Sequence, residues 1–141
     1  MNTLSAFFAS AAKKIEKQTM VVSPRFVEAD GMPIPWEFAC ISAKDNAEIR
    51  RDCMRQVPVP GRKNQYTREI DTDLYTARLV AHCTLYPCLD DPQLQDSYGV
   101  KTAEELLQTM LTSGEFERYA AKIFEVNGFA STAELVEEAK N

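Results

Sequence analysis

The chain has 141 residues, 45% hydrophobic and 26% charged, with 16 lysines and arginines against 21 aspartates and glutamates and a formal net charge of -5. Such proportions describe one compact soluble domain whose core needs no staple, and no cofactor is expected. The acidic balance speaks against nucleic acid or an anionic membrane as partner, since both are bound mainly through lysine and arginine.

The longest apolar-rich run, ARLVAHCTLY, is too short to cross a bilayer and contains Arg78 and His82. The opening, MNTLSAFFASAAKK, has no lysine or arginine before its apolar run and both lysines after it. That is the reverse of a secretion signal, so a cytoplasmic protein is expected.

Thr3 is placed to cap a helix over 4–14, in which Leu4, Phe7, Phe8 and Ala11 recur at three- and four-residue steps. That stripe either docks on the domain's own core or meets a partner. Next, Asp30-Gly31 supplies a tight turn between two extended runs. On the return run Ile34, Trp36, Phe38 and Cys40 alternate with Pro33, Pro35, Glu37 and Ala39, the period of a strand buried on one face. Its prolines predict an open edge over the first half.

Ser42, with Asp45 three residues on, opens a helix to about Gln56 whose apolar positions are Ala47, Ile49, Cys53 and Met54. VPVPG ends it, and GRKNQYTRE reads as a loop. Arg50, Arg51, Arg55, Arg62, Lys63 and Arg68 make this the one basic region. A solvated face, an acidic protein partner and nucleic acid are its readings, in that order. Asp71 or Thr72 then caps a helix that runs through Tyr86, apolar nearly all round except at Arg78 and His82, and therefore central.

The stretch YPCLDDPQLQDSYGV holds three aspartates and a lone glycine. Counted from Asp90, the third position of a calcium loop would be Pro92 and the sixth Gln95, so that pattern fails. Asp91-Pro92 is instead a helix start, Leu94 and Tyr98 share one face, and Gly99 suits a left-handed helix end. Thr102 with Glu105, Thr112 with Glu115 and Ser131 with Glu134 open three further helices, the first through Leu111 and the second ending at Asn127-Gly128.

Together these elements predict an α+β, mostly α, single domain of about six or seven helices with one N-terminal antiparallel β-hairpin. Its parts are an N-terminal helix over 1–16, the hairpin over 17–41 and a helical body over 42–141. Cys40, Cys53, Cys83 and Cys88 form no C-x-x-C pair and there is one histidine, so they read as reduced, buried small hydrophobes. His82 and Cys83 are helix neighbours whose side chains point about 100° apart, and no nucleophile-base pair or glycine-rich phosphate loop is visible. No catalytic, metal or cofactor residue is assigned.

The succession RFVEADGMPIPWEF, VPVPGRKNQYTREIDTDLY, LYPCLDDPQLQDSYGV, LLQTMLTSGEFERYAAKIFEVNGF and LVEEAK resembles the XkdN-like phage tail assembly chaperones from Leu4 to Lys140. The resemblance implies a phage or prophage protein, not an enzyme, acting in the host bacterial cytoplasm and absent from the mature virion. Its implied partners are the tape measure protein, the tail tube protein and a frameshifted longer form of itself; homo-oligomerisation stays open. The alternative is a structural minor tail protein retained in the virion. The resemblance supplies no contact residues. Those expected from the sequence are Leu4, Phe7 and Phe8 of the N-terminal stripe and Arg62, Lys63 and Tyr66 of the basic loop, the surfaces least explained by folding.

Overall fold

A computed structural model describes residues 3–129, so the helix expected after Ser131 lies outside the described residues. Within them the chain forms five α-helices and two small antiparallel sheets. Strand β1, Gln18–Met20, pairs with β2, Trp36–Phe38, in the register Gln18↔Phe38, Thr19↔Glu37 and Met20↔Trp36. Helix α1, Ala43–Asp52, leads into a ribbon of β3, Met54–Pro58, and β4, Tyr66–Ile70. The central helix α2, Thr72–Cys83, passes directly into β5, Thr84–Tyr86, which joins the first sheet on the far side of β2. Helices α3, Pro92–Ser97, α4, Ala103–Met110, and α5, Ser113–Asn127, follow.

The alternation read at β2 is real: Trp36 and Phe38 are fully buried. The Asp30-Gly31 turn is also present, with Gly31 at φ 86° and the Met32 N–H donating to Asp30 Oδ1 at 2.9 Å. The expected hairpin is nevertheless one part of a three-stranded sheet. Pro33 and Pro35 precede β2, the run around the turn is joined only by a Val27↔Pro33 bridge, and β2 itself lies between two partners. The open edge predicted for its first half therefore applies before the strand begins.

The third strand comes from residues expected to end α2. Thr84 directs its hydroxyl to the Val80 carbonyl at 2.8 Å, and Pro87 disfavours the helical conformation at Tyr86. The helix stops at Cys83 and the next three residues extend along β2.

The β3–β4 ribbon replaces the end of one expected helix and the expected loop. Its prolines do not break it because of their phase. The Val59 N–H donates to the Gln65 carbonyl at 2.9 Å, so odd-numbered residues turn their N–H groups toward β4, and Pro58 and Pro60 face outward where no donor is required. Helix α1 accordingly ends at Asp52, with Cys53 buried and Met54 exposed.

At the N-terminus the expected helix shrinks to a single 3-10 turn, Leu4–Phe7, and Thr3 makes no side-chain cap bond. All residues from Thr3 to Thr19 are exposed. A short helix with no apolar face covered lacks the packing that pays for nucleation.

The core gathers around α2. Leu79 and Val80 are fully buried and pack with Leu106 and Leu107 of α4, Tyr119 and Ile123 of α5, and the inward residues of β2. Tyr119 meets Trp36 edge-on at 5.5 Å between ring centroids and Phe38 at 5.7 Å.

Apart from Thr3, the N-cap residues expected within the described segment are in place, with a complete capping box at Thr112/Glu115 and only the threonine's half of one at Thr102/Glu105. Ser42, Asp71, Asp91, Thr102 and Thr112 each accept from a backbone N–H three residues on, and Gly99 and Gly128 are left-handed at helix ends.

Candidate functional site

Helix α5 is apolar on two stripes. Tyr119 and Ile123 point into the core, while Phe116, Ala120 and Phe124 form a second row four residues apart in which Ala120 is buried and the two phenylalanines are half-buried. That row floors a groove of about 840 Å³ between α2 and α5. Asp73 and Thr76 of α2 form one wall, Gln108 of α4 contributes to the lining, and Gly128 and Phe129 close one end, where the Phe129 ring stands 6.0 Å from Phe124. Glu117 and Glu125 stand on the α5 side. The charged lining groups are thus acidic, and Lys122 tempers only Glu125, at 3.8 Å. Sequence reading missed this groove. The signal was the pair of apolar stripes on α5, since one stripe suffices for a helix packed on one side.

The start of α5 is tied down firmly. Thr112 and Glu115 form a complete capping box, with the Thr112 N–H donating to the carboxylate at 2.9 Å and the Glu115 N–H donating to the threonine hydroxyl at 3.2 Å. Arg25 lies 3.7 Å from the Glu115 carboxylate while also donating to the Met110 carbonyl, and its backbone N–H donates to the buried Ser23 hydroxyl at 3.3 Å. The Thr112 bond, then the Ser23 hydroxyl and the Arg25 charge, hold the Glu115 carboxyl below its ordinary range. The far end is anchored too: Asn127 Oδ1 accepts from the Ile41 N–H at 3.0 Å, and the Cys40 thiol donates to the Val126 carbonyl at 3.1 Å.

The residues proposed from sequence lie elsewhere. Phe7 is 79% exposed and Phe8 54%, and Ile15 further along the same segment is 65% exposed. Leu4 is exposed as well. These side chains are on the surface, so docking of the stripe on the chain's own core is excluded. Arg62, Lys63 and Tyr66 are exposed at the connecting end of the β3–β4 ribbon. The two sets stand on different elements, and no ion pair or ring contact joins them among the described residues.

The basic region is on the surface: Arg50, Arg51, Arg55, Arg62, Lys63 and Arg68 are all exposed, and Arg55 pairs with Glu69 at 3.2 Å and Asp71 at 3.8 Å. His82 is exposed, 3.5 Å from Asp45, whereas Cys83 is buried on the other side of the helix. Burial pushes the Cys83 thiol up to about 11, which keeps it protonated and non-nucleophilic at neutral pH. Burial also raises Cys53. Two cysteines therefore match the expected buried role; Cys40 is half-buried, and Cys88 departs from it by being exposed in the bend before α3. Asp91 of that bend is committed to the Leu94 N–H at 2.9 Å.

A sequence model of the phage XkdN-like tail assembly chaperone proteins matches residues 4–140. The uncharacterized protein YqbN of Bacillus subtilis (strain 168) is 28% identical over 137 residues, covering 96% of this chain and 91% of its own. The phage-like element PBSX protein XkdN of the same organism is 29% identical over 140 residues, covering 98% and 93%. A crystal structure of YqbN has the same fold, with a TM-score of 0.76 at 24% identity over 92% of this chain and 99% of that one.

Proposed function

Because the chain belongs to the phage XkdN-like tail assembly chaperone family, we propose that it binds the tape measure protein of a phage or prophage tail and assists assembly of the tail tube around it. It acts by covering apolar surface, in the host cytoplasm, and leaves before the virion is complete. A protein that spans a tail is expected to be long and helical, with apolar stripes that have no cover until the tube closes. Such stripes aggregate when exposed.

The observation that carries this reading is the α2–α5 groove, floored by half-buried Phe116 and Phe124 on either side of buried Ala120. An amphipathic helix can lay its apolar face there. Tail tube subunits then displace it by competing for the same stripe. The N-terminal stripe at Leu4, Phe7 and Phe8 and the ribbon end at Arg62, Lys63 and Tyr66 are further contact surfaces in this reading, the second suited to acidic segments. The net charge of -5 keeps the loaded complex soluble.

The test is co-expression with the longest protein encoded just downstream. That protein should become soluble and co-purify with the wild-type chain. Ala121→Arg, at an exposed position of the groove lining, should weaken the complex without changing the helical circular dichroism. An insoluble downstream protein that never co-purifies across several constructs overturns the reading.

A further inference from the structure

Two surfaces of this chain complement one another. The groove between α2 and α5 is floored by phenylalanine and carries acidic groups on both sides, and Asp73 and Glu117 take part in no ion pair among the described residues. The segment before β1 carries Phe7, Phe8 and Ile15 on the surface with Lys13 and Lys14 among them, while Lys17 is paired with Glu37 at 2.7 Å and the only acid of the segment is Glu16. Apolar side chains with cationic neighbours are what an apolar groove with an acidic rim selects.

We propose that this groove binds the N-terminal segment of a second copy of the chain, so that the free protein self-associates and a client helix must displace that segment. The proposal rests on the groove being the client site. Within one copy the segment is not in the groove: its turn is closed by its own hydrogen bonds, from Phe8 to Ser5 and from Ala11 and Ala12 to Phe8, and it contributes no lining residue. The chain after Phe129 is a poor electrostatic match for the rim, since its sequence holds Glu134, Glu137 and Glu138 against Lys140. Extended at roughly 3.4 Å per residue, the run from Phe8 to β1 can span about 30 Å between copies. Reciprocal exchange of two segments closes the assembly at a dimer.

A capped groove would protect the chaperone from the fate of its client. Phe116 and Phe124 would otherwise face water whenever no client is present. Occupation by a weak, cationic stand-in leaves the site available to a better-matched helix.

Sedimentation velocity of the full chain over a range of concentrations tests this without any client. The wild type should shift from monomer toward dimer with rising concentration, and added salt should weaken the shift. Phe7→Ser with Phe8→Ser should weaken association at least about a thousandfold, since each exchanged segment loses the burial of both rings. Lys13→Glu with Lys14→Glu, and separately Glu117→Lys with Glu125→Lys, should each weaken it about tenfold. All four positions of those charge variants are at the surface or half-buried on it, so folding is preserved and is checked by circular dichroism. Mixing the two charge variants should restore association, because the acidic segment of one then meets the basic groove of the other.

A wild type that stays monomeric at every concentration, association unaffected by these substitutions, or a mixture that fails to associate overturns the proposal. Client co-purification by a strictly monomeric chain would sink this inference alone; a self-associating chain that never binds the downstream protein would sink the functional reading alone.

Discussion

Thr84 and Tyr119 share a buried hydrogen bond of 2.7 Å that links the first sheet to α5 across the core. Because the Thr84 hydroxyl donates to the Val80 carbonyl, Tyr119 must be the donor to Thr84. Burial, only partly offset by this bond, pushes the Tyr119 phenol well above its ordinary range. Thr84→Val keeps the shape but removes the acceptor, and should cost about 1–3 kcal/mol in urea unfolding. Tyr119→Phe removes one bond yet leaves Thr84 satisfied by Val80, so its cost should be smaller, about 1 kcal/mol. Equal losses would show that the tyrosine hydroxyl is satisfied in another way.

Glu115 sets an acid limit on stability. Its carboxyl is held below the ordinary value by the Thr112 backbone bond first and the Ser23 hydroxyl next. The folded form therefore prefers the carboxylate, a contribution present above the unfolded value near 4.5 and lost as pH falls through the lower folded value. Glu115→Gln should be less stable than the wild type at neutral pH, and the two should converge on acidification. A constant gap across the acid range, read from thermal melts, would show that the charge is not what matters.

The four thiols should react in a burial-dependent order. Cys88 is exposed and should be titrated first by a disulfide reagent, and buried Cys53 and Cys83 last. Cys83 is raised by burial from 9.0 to about 11, so the folded form holds its proton more tightly. Its contribution is complete below about 9 and disappears as pH rises toward 11, so Cys83→Ser should flatten the alkaline loss of stability. Simultaneous reaction of all four would mean that the core opens faster than the reagent attacks.

Gly128 ends α5 at φ 74°, and its place next to the groove makes the geometry of that end matter. A Cβ there would meet nothing within 4 Å, so the penalty of Gly128→Ala is backbone conformation alone, roughly 1 kcal/mol. Gly128→Asn should cost less, since asparagine tolerates the left-handed region. A melt unchanged by alanine would imply that the helix end relaxes freely.

Helix starts and stops were readable because they are local. A cap is a side chain reaching a backbone N–H three residues away, and Asp91-Pro92, Thr102, Thr112 and Gly128 stood where their chemistry requires. The burial of Trp36 and Phe38 was readable for a similar reason, since alternation along a strand needs only its own residues. The acidic balance and the family pattern were likewise properties of the chain in order.

Tertiary structure decided what pairs with what. Thr84–Tyr86 looks like the continuation of an apolar helix until β2 offers it an edge, and Pro58 looks like a breaker until its outward phase on the ribbon is known. The N-terminal stripe has helical spacing, yet Phe7 and Phe8 stay exposed, and so short a helix does not persist without packing. The groove itself belongs to no segment: it exists because α2 and α4 cover only one of the two apolar stripes of α5, and a surface left over from packing is settled only when the packing is complete.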